Sequence, residues 1–162
     1  MKKHYIYNTI DDSRSLVNPK PLAIKALHTT TAQQLGEAFY SAYLNTIDYE
    51  GETVEQAVAE VEKVLAGGYG PVIEDASGYL TINGVVAAVV FVTDIGSRAF
   101  IPYIFTRSKY KNRGLARQLL INAINKLEHT EYNQIELYVT SGNVYAEQLY
   151  QGIGFVTVPS PA

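Results

Sequence analysis

The sequence predicts one mixed domain of the α+β class, in which a mostly antiparallel sheet contains a single parallel strand pair and is flanked by helices. Three observations carry this expectation. Two β-prone runs, 77–82 and 85–93, flank Asn83-Gly84, the strongest short hairpin signal. A third β-prone run, 99–106, follows the turn at 94–97 and completes an antiparallel meander. A helical pattern then separates that run from an alternating segment at 134–140. A strand, a crossover helix and another strand imply a parallel pair.

Each element has its own local reason. Residues 1–21 are polar and irregular, with Asp11-Asp12-Ser13, Pro19 and Pro21. Within them, 4–9 reads either as a short strand or as a loose tail. Residues 1–21 are therefore taken as an N-terminal tail or extra strand, and 22–158 as the domain. Residues 22–27 (LAIKAL) read as the first strand. Thr30 with Gln33 has the spacing of a capping box, and Leu35, Ala38, Phe39, Ala42 and Tyr43 give the helix after it one apolar face. That helix is expected to end near 45–48. A second box, Thr53 with Gln56, opens the next helix, with Val54, Val58, Val61 and Leu65 as its stripe and Gly67-Gly68 as its stop.

After the meander, Ala116, Leu119, Leu120, Ala123, Ile124 and Leu127 recur at helical spacing. Ile135, Leu137 and Val139 then alternate with Glu136, Tyr138 and Thr140, the pattern of a strand. Residues 143–151 form a short helix with Ala146, Leu149 and Tyr150 on one face. Gly152 and Gly154 are expected to break it, and 155–158 is the last strand.

Composition narrows the chemistry. The 162 residues suit one domain with a real core, and 47% are hydrophobic. There is no cysteine, which excludes disulfides, a thiol nucleophile and a thiolate metal site. His4, His28 and His129 show no ligand spacing, so no metal is expected. No apolar run approaches the roughly 18–20 residues of a membrane span, and the N-terminus lacks a signal-peptide core, so a soluble cytoplasmic protein is expected, with no membrane partner.

The most informative stretch is 110–120. Arg107, Lys109, Lys111, Arg113 and Arg117 form a positive focus in a chain of net charge −3. Gly114 lies where the third run of the meander hands over to a helix. A helix mouth presents backbone N–H groups without internal partners and the positive end of its dipole, which together favour phosphate or pyrophosphate. Neither a P-loop nor a dinucleotide fingerprint is present. The basic residues cluster in one turn rather than along a stripe, which argues against nucleic acid.

Two motifs give this order of elements a family likeness. Lys111-Asn112-Arg113-Gly114-Leu115-Ala116 matches the pattern [QR]-x-x-G-x-[GA], with Lys at the first place. Asn143-Val144-Tyr145-Ala146-Glu147-Gln148-Leu149-Tyr150, followed by Gly154-Phe155, matches N-x-x-A-x-x-L-Y-x-x-x-G-F. Over 22–158 the chain resembles the GNAT superfamily of acyl-CoA-dependent N-acyltransferases. The resemblance implies acetyl-CoA as co-substrate, transfer to a primary amine by direct attack, and a splay between the fourth and fifth strands that holds the pantetheine arm. It implies pyrophosphate contacts from Lys111, Asn112, Arg113, Gly114, Leu115, Ala116 and Arg117. It further implies strand contacts from the backbones of Ile104, Phe105 and Thr106, and a contact from Asn143 in addition to its N-cap role. Tyr150 is implied as the general acid for the leaving thiolate, in competition with a plain core role.

The chain departs from the family pattern in two places. Many relatives carry a Glu on the fourth strand as base, and 99–106 has no carboxylate. Glu74, Asp75, Asp94, Tyr103 or a water molecule stand as the alternatives. Relatives also have a seventh strand, whereas here Pro159 and Pro161 follow the last one. The family's final strand is therefore expected to be missing, with 4–9 or a second subunit, in a possible homodimer, filling the gap. The acidic loop 48–52 lies where relatives bind acceptors, and either attracts a cationic amine or is merely solvated. The acceptor is expected to be a small-molecule or peptide amine. The alternatives are a protein N-terminus or lysine as acceptor, and a non-catalytic acyl-CoA-binding regulatory module.

Overall fold

The strands are β1 (Lys2–Asn8), β2 (Gly78–Ile82), β3 (Val85–Asp94), β4 (Ala99–Thr106), β5 (Gln134–Thr140) and β6 (Val156–Val158). The helices are α1 (Ala32–Tyr43), α2 (Val54–Leu65), α3 (Leu115–Leu127) and α4 (Val144–Ile153). The structure is a computed structural model and describes residues 1–9 and 21–159. The expected features at Asp11-Asp12-Ser13, Pro19 and Pro161 lie outside the described residues. All six strands form one sheet in the order β2-β3-β4-β5-β1-β6. Every adjacent pair is antiparallel except β4 and β5.

The meander forms as its turn chemistry requires. Asn83 (φ 52°) and Gly84 (φ 77°) both adopt the left-handed conformation that a two-residue hairpin demands. β3 is buried along eight consecutive residues because both of its faces are covered. On one face, Leu35 and Ala38 of α1 and Val61 and Val64 of α2 pack with Val89, Phe91 and Phe105. On the other, Leu119, Leu120 and Ile124 of α3 pack with Val90, Val92, Leu137 and Tyr5. Among the described residues no helix is long and apolar enough to cross a membrane.

Several local expectations are corrected. Residues 22–27 do not form a strand: only Lys25 bridges, to Tyr79, before a 3-10 turn at Leu27–Thr29. Leu, Ala and Lys in that stretch carry little intrinsic strand preference, and one bridge on the sheet's margin does not impose it. The first helix is capped one residue later than expected, Thr31 Oγ1 accepting from Gln34 N at 3.1 Å. Three adjacent threonines can each cap, and Thr29 already bonds the carbonyl of Ala26. The second box forms as expected, with Thr53 N donating to Gln56 Oε1 and Gln56 N donating to Thr53 Oγ1. The α2 stripe is rotated, because Ala57, Val61 and Val64 are buried while Leu65 is 39% exposed. The two helices approach closely at Gly36, where a Cβ would stand 2.5 Å from Val58 Cγ2. Gly152 lies inside α4, and Gly154 alone ends it.

The N-terminal segment is an interior strand. β1 pairs with β5 along its whole length, from Lys2↔Thr140 to Asn8↔Gln134, and with β6 from His4↔Val158 to Ile6↔Val156. No strand follows β6 among the described residues, and residues from the start of the chain occupy the place beside β5. The expected gap at the edge is therefore filled one position further in, leaving the three-residue β6 as the edge.

Candidate active site

The parallel pair is short. β4 and β5 meet only at Ala99↔Ile135 and Phe100↔Glu136, and then part. The cause lies in β4. Between the pairs Thr93↔Phe100 and Phe91↔Tyr103, β3 advances two residues while β4 advances three. Pro102 falls in this bulge and has no N–H to give to a ladder. A bulge bends its strand, and here the bend opens the pair. The closed end is pinned by Arg98, whose Nη1 donates to both oxygens of the buried Glu136 at 3.3 and 3.1 Å.

The splay opens into a cleft of ≈ 500 Å³. It brings together Ile104, Phe105, Thr106, Lys111, Asn112, Leu115, Ala116, Asn143 and Tyr150 from the sequence-derived set. Arg113, Gly114 and Arg117 do not line it. Along β4 the amides alternate in direction. Arg107 N donates to Ala87 O of β3 at 2.8 Å, and Phe105 stands opposite Val89. Phe105 therefore spends its backbone on β3, while the backbone groups of Ile104 and Thr106 face the gap.

The end of the cleft at α3 is made of main chain. Gly114 is the N-cap of α3 at φ 76°, and no side chain caps the helix. The first intrahelical bond runs from Gln118 N to Gly114 O, so the N–H groups of Leu115, Ala116 and Arg117 have no partner within the helix. Nothing lies within 4 Å of where a Cβ on Gly114 would stand. The basic side chains around it are largely occupied. Lys111 Nζ donates to Ala42 O at 3.1 Å, Arg107 Nε donates to Val86 O at 2.7 Å, and the Arg113 guanidinium lies 5.3 Å from the centre of the Tyr110 ring. No carboxylate pairs with any of them among the described residues, so their charge still biases the turn toward an anion.

The opposite wall comes from α4. Asn143 Oδ1 accepts from Ala146 N at 3.2 Å, the N-cap expected of it, and the residue lines the cleft. Tyr150 is 6% exposed, with the rings of Tyr5 and Phe155 at 6.0 and 5.7 Å. Its hydroxyl makes no hydrogen bond among the described residues. Burial, and secondarily the neighbouring Tyr43 phenol, hold its pKa well above the ordinary phenol value, so the proton stays on.

None of the four sequence-derived base candidates lines the cleft. Asp94 closes the β3–β4 turn, accepting from Gly96 N and Ser97 N, and its other oxygen accepts from Tyr132 Oη at 2.7 Å. The Tyr132 bond, followed by the Ser97 amide, holds its pKa below the usual carboxylate value. Glu74 and Asp75 sit exposed in a 3-10 turn. Tyr103 donates to Glu60, as does Tyr69, and burial followed by those bonds keeps its phenol protonated. Sequence reasoning gave no catalytic role to Tyr43 or Asp48, which do line the cleft. Tyr43 sits on the apolar face of α1, where it reads as core, and Asp48 lies in a loop whose direction only the fold sets.

A family described as an acetyltransferase (GNAT) domain matches residues 46–162. A search of curated protein sequences finds no match. Solved structures share the fold. The PH1933 protein of Pyrococcus horikoshii superposes with a TM-score of 0.68 at 18% identity, covering 99% of this chain and 93% of that one. The PaiA N-acetyltransferase of Thermoplasma acidophilum, solved in complex with coenzyme A, gives 0.69 at 16%, covering 87% and 94%. The ribosomal-protein-S18-alanine N-acetyltransferase of Escherichia coli gives 0.64 at 22%, covering 85% and 79%.

Proposed function

The chain belongs to the GNAT acetyltransferase family, and from that premise we propose that it moves an acetyl group from acetyl-CoA to a primary amine by direct attack. The observation that carries this reading is the cleft itself: an uncapped helix mouth at one end, free strand edge along one wall, and a protonated, unbonded phenol in the other. These groups suit the parts of a long thioester in order.

The amides of Leu115, Ala116 and Arg117 take the pyrophosphate, helped by the helix dipole and the surrounding positive charge. The backbones of Ile104 and Thr106 hold the amide groups of the pantetheine arm, as an added strand would be held. Asn143 reaches the same arm with the side-chain N–H groups that its capping role leaves free. A β4 N–H facing the gap stabilises the oxyanion that develops as the amine attacks. Tyr150 gives its proton to the thiolate as the carbon–sulfur bond breaks. No cysteine is present for an acyl-enzyme, which agrees with the direct route.

The test is an acceptor panel supplied with acetyl-CoA, following release of the free thiol, with acetyl-CoA binding measured separately by calorimetry. Thiol release that depends on an amine is the expected result. Tight binding without release to any amine would overturn the transferase reading and identify a binding module instead.

A further inference from the structure

We propose that Asp48 is the general base of the transfer, accepting the proton that the acceptor nitrogen sheds as it attacks; this rests on the function proposed above. Asp48 is the sole carboxylate among the residues lining the cleft. It lies in the α1–α2 loop, and its Oδ1 accepts from Thr140 Oγ1 at 2.5 Å. Thr140 is the last residue of β5, so this bond ties the loop to the arm of the splay opposite β4. The bond also orients the carboxylate and leaves Oδ2 with no protein partner among the described residues. A carboxyl group with one oxygen anchored and one free, in a cleft, is placed to take a proton.

Tyr43 and Tyr150 line the same cleft as Asp48. The cycle then balances. The nitrogen lone pair forms the carbon–nitrogen bond, which makes the nitrogen acidic, and one of its protons passes to Asp48. The carbon–sulfur bond breaks, its electron pair leaves on sulfur, and the Tyr150 proton neutralises the thiolate. After the products leave, Asp48 releases its proton to solvent and the Tyr150 phenolate takes one from solvent. The amine and thioester have become amide and thiol, with both side chains restored.

The experiment compares the wild type with Asp48→Asn, Asp48→Ala and Thr140→Val, using an amine that the panel shows to be accepted. Thermal melts and acetyl-CoA calorimetry accompany the rates. Asp48→Asn is expected to lose ~10²–10⁴-fold in kcat, the usual worth of a positioned base, with acetyl-CoA affinity held within about twofold. Asp48→Ala is expected to recover part of its rate with added formate, which replaces the missing carboxylate and which a purely structural role would not permit. Thr140→Val is expected to lose less than Asp48→Asn, because it disorients the base without removing it. A folded Asp48→Asn turning over at the wild-type rate overturns the proposal. Loss of acetyl-CoA binding in step with the loss of rate, without rescue by formate, also overturns it and makes Asp48 a cofactor-pocket residue. A wild type inert toward every amine is a different failure, that of the transferase reading itself.

Discussion

The two ends of the cleft are built on opposite plans. At the α3 end, the groups proposed to act are backbone amides of consecutive residues, and Gly114 sets their direction by its own left-handed φ of 76°. At the α1–α2 end, the groups proposed to act are side chains whose placement depends on partners far along the chain: Asp48 is held by Thr140, 92 residues away. Tyr5 of β1 likewise donates to Glu147 of α4, 142 residues away, on the helix that carries Tyr150. A site made of main chain tolerates exchange of its side chains and fails when the backbone or the space before it changes. A site made of distant side chains is sensitive to each of them.

The largest effect is expected at Gly114. Gly114→Trp puts a large side chain into the open space before the helix mouth and forces a left-handed φ on a residue that resists it. Calorimetry should detect no acetyl-CoA binding, whereas Gly114→Asn, which tolerates that φ, should keep a measurable part. Retained affinity in the tryptophan variant would show that the anion is held elsewhere and would erase the contrast between the two ends.

Next comes Tyr150→Phe, which removes a hydroxyl and keeps the ring that packs against Tyr5 and Phe155. The expected loss is ~10²–10⁴-fold in kcat with little change in stability or acetyl-CoA affinity. Part of the rate should return with a thioester whose leaving thiol has a low pKa, since that thiolate departs without a proton. Normal turnover with acetyl-CoA, under conditions where chemistry limits the rate, would return Tyr150 to the core.

A smaller effect is expected where β1 meets α4. Glu147 accepts from Tyr5 Oη and pairs with Lys3 Nζ, both at 2.8 Å, and the Lys3 bond followed by the Tyr5 bond lowers its pKa in the folded state. A group whose folded pKa lies below its unfolded value adds stability above the unfolded pKa, and that stability is lost as pH falls through the folded one. The midpoint of thermal unfolding should therefore drop on acidification below about pH 4.5, partly because of this group. Glu147→Gln should lower the midpoint at neutral pH and flatten that acid limb. An unchanged limb in the variant would mean that β1 is held by its ladder alone.

The same contrast explains what the sequence disclosed. The Gly114 turn, the Asn83-Gly84 hairpin and the Asn143 cap are contiguous signals, each decided within a few residues, and each is found where the sequence places it. The α1–α2 end is decided by topology. Nothing in 1–9 states that it pairs on both sides, since β1 reaches β5 across more than a hundred residues. Asp48 reads as one acid in an acidic loop until Thr140 lies opposite it. Pro102 inside a β-prone run is a local signal of a bulge, and the strand pair opens beyond that bulge. The run at 22–27 failed for the opposite reason, since its apolar residues have no second strand to complete a ladder beyond Lys25.

The smallest effect is expected at Lys111, and it tests the contrast most sharply. Lys111 stands at the first place of the pyrophosphate motif and carries a positive charge, so an account based on charge makes it a leading contact. In the structure its Nζ donates to Ala42 O and ties the turn to the last part of α1. The amides beyond Gly114 do not depend on it for their direction. Lys111→Gln keeps a donor of shorter reach and removes the charge. Acetyl-CoA affinity should stay within about threefold, below one kcal/mol by the usual conversion. The remaining dependence should appear in salt, because one fewer cation contributes to the local field. Calorimetry at low and moderate ionic strength separates the two contributions. A loss of tenfold or more at moderate ionic strength, on the scale of that in Gly114→Asn, would show that side-chain charge rather than main-chain geometry makes the α3 end of the cleft.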